Sequence, residues 1–332
     1  MAETTVFKGR AARAEVRVRK RHPFLEDFAS TFRAFMSNKI ALVGFVIVLI
    51  YIGFTIADLT YPYYLGVHNI NNINSFNPGG YAAAIPTPPF VLPPSHLKGA
   101  PSWWFWLGTT EFQDPILPIM LAALKVDIVY SFIIVGSGLV IGILLGSISG
   151  FLGGYVDEVL MRITDIFFSI PSLVLAIAFI YVLAQRGFSG LDSLVFALIV
   201  IWWPTYARLT RGVTLSVKNM KFIEASIASG ATRLGIVFKH VIPNVLSPSL
   251  VQLSLDLGSI VLILAALDFI NLPIISPFVP ELGRMIYNGE QYLVSGIWWP
   301  VTIPGLFLLL FTVSVNLMGD GLRDVLDPKL RG

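Results

Sequence analysis

Long apolar runs alternate with short polar stretches along this chain, and the runs set the architecture. Six of them are long enough to cross a hydrocarbon core of about 30 Å, which takes about 20 residues of helix. They are expected at 39–58, 128–150, 163–184, 191–207, 246–270 and 297–318. Before the first lies a basic segment, 1–38, with no small-residue cleavage site after the span, so it reads as a retained leader rather than a signal peptide. Between the first and second spans a long connection, 59–127, is expected outside the membrane. The tail, 320–332, is polar.

Composition agrees with that pattern. Of 332 residues, 55% are hydrophobic and 13% charged, against about 25% charged in an ordinary soluble domain. No cysteine is present, so disulfides, thiol zinc sites and cysteine nucleophiles are excluded. Charge placement says more than the net +3. Lys and Arg concentrate on one side of the six spans, in the leader, in 208–239 and in the tail, while Lys98, Lys125, Arg186 and Arg284 fall on the other. The positive-inside rule therefore predicts both termini in the cytoplasm. Arg10, Arg13, Arg17, Arg19, Lys20 and Arg21 read as a topology anchor beside anionic lipid, with no nucleic-acid role.

The external connection carries "NNINSFNPGG", "PTPPFVLPPS" and "WWFW". The first two are incompatible with regular helix or strand, and the proline run predicts polyproline II. Trp103, Trp104 and Trp106 suit an interfacial belt; a surface for an external partner or a sugar-like ligand is the alternative.

Several features lie within the spans. Glycines recur at Gly138, Gly142, Gly146, Gly150 and Gly154, a small-xxx-small stripe that lets backbones approach. Because four residues exceed one 3.6-residue turn, the stripe drifts, which predicts a crossing rather than a parallel neighbour. Pro171, Pro204, Pro248, Pro300 and Pro304 interrupt spans. Asp165, Asp256 and Asp268 lie in or at the ends of apolar runs, where a carboxylate faces protein or water rather than lipid. Asp165 is expected to pair with Arg162. Asp165, Gln252 and Asp256 are candidates for a translocation path, with a helix–helix hydrogen bond as the other reading of Asp256.

Other chemistry is missing from the sequence. No phosphate-binding G-x-x-x-x-G-K-[ST] loop and no H-E-x-x-H spacing occurs, so neither a nucleotide cofactor nor a metal is expected on this chain. "GFSG" at Gly187–Gly190 resembles an intramembrane serine protease motif, yet no span holds a histidine base. It reads as a tight turn.

One polar stretch interrupts the apolar pattern, "KFIEASIASGATRLGIVFKHVIPN" at 221–244. It predicts a short helix from about Lys221 to Ser229, a left-handed Gly230 that ends it, and a second helix capped by Thr232. Helices this short are marginal alone in water. The hairpin therefore projects into the cytoplasm and docks on something, or lies on lipid as an amphipathic helix.

Its residues resemble the EAA loop of binding-protein-dependent ABC importer permeases. Glu224, Ala225, Gly230, Ile242 and Pro243 match or nearly match the consensus, Ser226 replaces the second alanine, and His240 with Asn244 is the variant of the dipeptide/oligopeptide branch. The second permease subunit of that branch is similar over most of the chain, through "NKIALVGFVIVL", "GGYVDEVLMRITDIFFSIPSLVLA", "WWPTYARLTRG" and "NLMGDGLRDVLDPKLRG". Two places depart. "LGTTEFQDP" stands where the branch has L-G-T-D-x-x-G-R-D, and Leu264 where it has a glutamate.

The resemblance implies an all-α membrane protein of type I ABC importer permease fold: six transmembrane helices, a permease core at 128–319 and a coupling-helix hairpin at 221–244. It implies a permease subunit forming half of the pathway, not an enzyme, in a prokaryotic cell membrane. Its partners would be a second homologous permease, two cytoplasmic ATPase subunits holding ATP and Mg, and an extracytoplasmic solute-binding protein. Peptides are the expected solutes, with oligosaccharides, nickel or another small solute as alternatives, and a stand-alone carrier or channel as the different-class alternative. The coupling set would be Phe222, Ile223, Glu224, Ala225, Ser226, Ile227, Gly230, His240 and Pro243. Glu224 is expected to enter the ATPase cleft, with Phe222, Ile223 and Ile227 around it.

Overall fold

The computed structural model describes residues 35–60, 85–91, 102–110, 114–188, 190–270 and 280–326. The basic leader, "NNINSFNPGG", the Trp103 side chain, Ser189 and the last six residues lie outside them. Helices dominate the described residues: α1 Lys39–Thr60, α2 Ile116–Leu152, α3 Gly154–Phe168, α4 Ser172–Gln185, α5 Leu191–Lys218, α6 Lys221–Ala228, α7 Arg233–Ile236, α8 Ile242–Phe269, α9 Leu282–Glu290 and α10 Trp299–Leu326. Among them, α1, α2, α5, α7–α8 and α10 are long and apolar enough to cross a membrane.

The third expected span, 163–184, is not one helix. α3 and α4 meet at a 95° bend, where Pro171 has no N–H to continue the ladder and its ring disfavours helical Ile170. The sixth crossing exists only as this bent pair. The second span also differs. α2 begins at Ile116, not Ile128, and its 37 residues extend about 55 Å at 1.5 Å per residue. The last twelve residues assigned to the external connection are thus its first turns. Lys125 and Asp127 made them look water-facing, yet both side chains are buried.

α2 is the central helix, packed on α5, α8 and α1, while α10 covers α1, α8 and α9. On α5, a Cβ at Gly142 would meet Tyr206 and Ala207, one at Gly146 would meet Thr210 and Ala207, and one at Gly150 would meet Thr214 and Arg211. Gly138 lies over Trp202. The numbers rise together, so the two helices run the same way and stay in contact over all four glycines. The expected crossing neighbour is thereby corrected. α5 carries its own every-fourth-residue row, Trp202, Tyr206, Thr210 and Thr214, and the two rows drift in step. Thr210 Oγ1 reaches the Gly142 carbonyl at 3.0 Å, a bond that a larger side chain at 142 would prevent. Gly154 is not part of the stripe. It lies beyond the end of α2, with positive φ and open space beside it.

α1 leans on α10 through Tyr51, whose ring stacks on Phe307 at 4.6 Å and whose hydroxyl donates to the Phe307 carbonyl at 2.8 Å. The described segments between α1 and α2 fold back on the bundle. Residues Ser102–Leu107 form a 3-10 helix with Phe105 buried and Trp106 exposed. The described part of the proline run ends in a turn at Pro89–Phe90, and its remainder, 92–95, lies outside the described residues. Val91 N–H donates to the Pro88 carbonyl at 3.2 Å, and Phe90 has φ +63°. Thr109 N–H donates to the Thr87 carbonyl and Thr87 N–H to Thr109 Oγ1, which ties the run to the segment ahead of α2. Gly187 and Gly190 both have positive φ, as the tight-turn reading of "GFSG" expects.

The coupling hairpin and the polar sites

α6 ends as the sequence predicts. Gly230 has φ +80°, its N–H donates to the Ile227 carbonyl at 3.0 Å, and Ala231 N–H reaches the Ser226 carbonyl at 3.2 Å. This is the Schellman arrangement, which needs a residue that tolerates the left-handed region. Thr232 then caps α7, with its hydroxyl accepting from Gly235 N–H at 3.2 Å.

α7 does not continue smoothly into α8. Residues Val237–Val241 form a π turn, and Ile242 N–H bonds five residues back to the Val237 carbonyl. The cause is local. Pro243, one residue further on, has no N–H for the carbonyl four residues back and its ring crowds that carbonyl. Asn244 Nδ2 donates to the His240 carbonyl at 2.6 Å, satisfying an acceptor inside the wide turn. The H-V-I-P-N stretch therefore has a mechanical reading: proline widens the helix and asparagine closes the gap. His240 sits in the turn, its ring 6.2 Å from that of Phe222 on α6.

The hairpin is pinned from one side and bare on the other. Ile223, Ile236, Val237 and Val241 are fully buried in the main core. Ile223 is thus an anchor to its own chain rather than part of a partner pocket. Phe222, Ile227, Leu234 and Phe238 are 40%, 55%, 53% and 55% exposed. Glu224 and Ala225 are exposed and Ser226 half-buried. Ala225, Ser226, Thr232, Gly235, Lys239 and His240 share an open cleft of about 400 Å³ between α6 and α7. Exposed apolar side chains gathered on one element mark a candidate interaction surface.

Asp165 does not pair with Arg162. Its partner is Arg208 on α5, Nη2 to Oδ1 at 2.7 Å, and Phe168 lies under the guanidinium at 4.1 Å. One helix turn further along α5, Arg211 grips Asp157 with two nitrogens. Asp256 is buried and accepts from Trp202 Nε1 at 3.1 Å and from Gln252 Nε2 at 2.9 Å. The structure thus joins Asp256 and Gln252 into one group with Trp202, a helix–helix contact, while Asp165 lies in a different one.

A second polar group escaped sequence reading. Asp127 on α2, Asp268 on α8 and Glu281 ahead of α9 line one small enclosed cavity with Leu264. Arg284 Nη2 lies 3.1 Å from Asp268 Oδ1. Glu281 caps α9 by accepting from Arg284 N–H at 3.1 Å. All four, and Lys125 nearby on α2, are at most 6% exposed. α9 itself was not foreseen, and Arg284 is inside the fold rather than in an external connection. The position where the resemblance leads one to expect a glutamate, Leu264, adjoins three acids already in place.

Residues 142–332 match the family of binding-protein-dependent transport system inner membrane components, and residues 28–78 match the N-terminal TM domain of oligopeptide transport permease C. A di/tripeptide transport system permease of Pseudomonas aeruginosa is 38% identical over 73% of this chain and 77% of its own length. A dipeptide transport system permease of Haemophilus influenzae is 33% identical over 90% of this chain and 93% of its own. Among solved structures, a chain of the inward-facing MetNI methionine ABC transporter aligns with TM-score 0.52 at 24% identity, covering 64% of this chain and 98% of that one, a likeness of fold. A bent α3–α4 pair, a core hairpin hinged at Gly230 and the family match over more than half the chain lead to one identification: this chain belongs to the binding-protein-dependent transport permeases and is a multi-pass membrane permease subunit of an ABC importer.

Proposed function

We propose that the chain is one of two homologous permease subunits in an importer that carries short peptides across a prokaryotic cytoplasmic membrane, with both termini and the 221–244 hairpin in the cytoplasm. The observation that carries the reading is the bare face of the hairpin. Phe222, Ile227, Leu234 and Phe238 are exposed on an element whose other face is locked into the core through Ile223 and Ile236. A surface fixed from behind and apolar in front suits a rigid partner, since preorganised elements spend little entropy on docking. The sequence contains no phosphate-binding loop, so ATP and Mg are assigned to two separate ATPase subunits that take α6 and the cleft beside it. An external solute-binding protein delivers the solute. Peptides are the solute class because the curated relatives at 38% and 33% identity are named for di/tripeptide and dipeptide transport.

The π turn gives the coupling a mechanical route. α8 continues directly from the hairpin through Val237–Val241, so a pull on α6 is delivered to the helix that bears Gln252 and Asp256. Reconstitution tests the reading. Proteoliposomes holding this chain, its partner permease, both ATPases and the binding protein are expected to accumulate a labelled dipeptide only with ATP. Flux from the permease pair without the ATPases would overturn it in favour of a self-sufficient carrier.

A further inference from the structure

α3 and α5 are joined by two ion pairs of different build. Arg211 meets Asp157 through Nε–Oδ1 at 2.6 Å and Nη2–Oδ2 at 2.7 Å. Ser149 donates to the same Oδ1, and the two side chains are only 33% and 18% exposed. Three donors hold this carboxylate, two of them on Oδ1, which makes this pair a strut. Arg208 touches Asp165 through one nitrogen at 2.7 Å, with the two side chains 48% and 57% exposed. Phe168 supports the guanidinium from one side at 4.1 Å, fixing its plane without using its donors. Residues Phe168–Ser172 at the bend are all exposed, so the pair lies at an open corner.

Its depth matters. Arg208 follows the start of α5 at Leu191 by about 26 Å at 1.5 Å per residue, close to the far edge of the hydrocarbon core. Trp203 lies edge-on to Phe167 at 5.7 Å, one residue from the Phe168 beneath Arg208, and at mid-span on the same helix Trp202 bonds Asp256.

We propose that Arg208 and Asp165 form an exchangeable contact for a zwitterionic solute at the inner end of the path, the guanidinium taking the carboxylate and Asp165 the ammonium group. This rests on the peptide reading above. Exposed ion pairs contribute little net stability, so opening this one is cheap, and a solute bearing both charges satisfies both side chains at once. A solute with one charge leaves the other side chain unpaired. The pair recloses when the solute departs, and no charge is stranded in either state. The Arg211–Asp157 strut holds α3 in place meanwhile.

The test uses the complete importer in proteoliposomes with saturating binding protein and labelled dialanine. Arg208→Gln and Asp165→Asn are each expected to lower the maximal uptake rate about tenfold, the scale of one charged hydrogen bond. ATP hydrolysis stimulated by loaded binding protein and the thermal midpoint of the complex are expected to stay near wild type. The neutral double variant, in which no charge is left unpaired, is expected to lose uptake as well. The swap of Arg208→Asp with Asp165→Arg rebuilds an ion pair but reverses its polarity toward the solute, and is expected not to restore uptake. A swap that restores wild-type uptake makes the pair a second strut and overturns the proposal, as do variants that import normally. Loss confined to vesicles rich in anionic lipid, with normal uptake in neutral lipid, assigns Arg208 to lipid headgroups and also overturns it. Wild-type complex that imports no dialanine defeats the peptide reading itself, whereas the variant-to-wild-type ratio judges only this pair.

Discussion

The two ends of the bundle break the usual rule of burial in opposite senses. At one end Lys125, Asp127, Asp268, Glu281 and Arg284 are at most 6% exposed. At the other, the hairpin presents Phe222, Ile227, Leu234 and Phe238 to the surroundings. The first departure is compensated in part inside the chain: Arg284 faces Asp268, and Glu281 caps α9, while Asp127 brings a third acid to the same cavity. Among the described residues nothing covers the second. A buried charge is retained only when its partners are built in, while an exposed apolar patch waits for a partner. The first end is therefore the more finished of the two, and the second, bare among the described residues, is the unfinished one.

The largest effect should come from breaking the finished end. Arg284→Met removes the cation facing Asp268 and leaves three carboxylates with less compensation, which costs about 3–5 kcal/mol when a buried pair loses one member. The thermal midpoint of the purified permease in detergent is expected to fall sharply. Adding Asp268→Leu to that variant should recover a large part of the loss, because apolar replacement of a whole buried pair is often nearly neutral. If Arg284→Met is as stable as wild type, the cluster is solvated and the contrast between the two ends fails.

The complementary change belongs at the unfinished end. Ile227→Asp together with Phe238→Asp should leave permease stability unchanged or slightly raised, since both side chains are already 55% exposed. The same variant should weaken ATPase co-purification by about 2 kcal/mol or more, the range of interface hot spots. A fall in permease stability with normal ATPase association would mean that these side chains pack on lipid or on their own chain.

Gly230→Val follows with a smaller effect. At φ +80° a β-branched residue costs about 1–2 kcal/mol, confined to the hairpin. Proteolysis at 228–232 is expected to speed up and stimulated ATP hydrolysis to drop, while the spans stay folded. Unchanged protease sensitivity would show that the turn absorbs the side chain.

How much of this was readable beforehand follows from the range of the forces involved. Gly230 and Thr232 obey capping rules that act over four residues, so the sequence is sufficient to place them. The glycine stripe was readable as a packing face, but its partner row on α5 was not, since Trp202 and Tyr206 look nothing like small residues. The start of α2 and the whole of α9 were missed because their charges mimic water-facing loops; only tertiary pairing between helices far apart in sequence shows otherwise. Asp165 was matched to Arg162 by proximity in sequence, whereas Arg208 wins across helices. Ile223 was placed on the wrong face because α6 is eight residues long and apolar at 222, 223 and 227, too short for periodicity to choose a side.

Glu224 gives the finest division between the two ends. It lies in the first turn of α6, where the helix dipole favours a negative charge by about 0.3–1 kcal/mol, and its side chain is exposed. Unlike the buried acids near Arg284, it needs no partner in the isolated chain, so Glu224→Lys should cost the permease no more than that dipole contribution. Its role begins when Phe222 and Ile227 beside it are covered, because a charge at the border of an apolar contact acts mainly on association rate and partner choice. Glu224→Lys is therefore expected to slow ATPase association several-fold at low salt, with the difference shrinking as salt rises toward 0.5 M and charges are screened. Binding kinetics of the purified ATPase to nanodisc-held permease at two ionic strengths would measure it. A slowing that persists undiminished at high salt would place Glu224 in a dry, central contact and move it from the rim of the interface to its core.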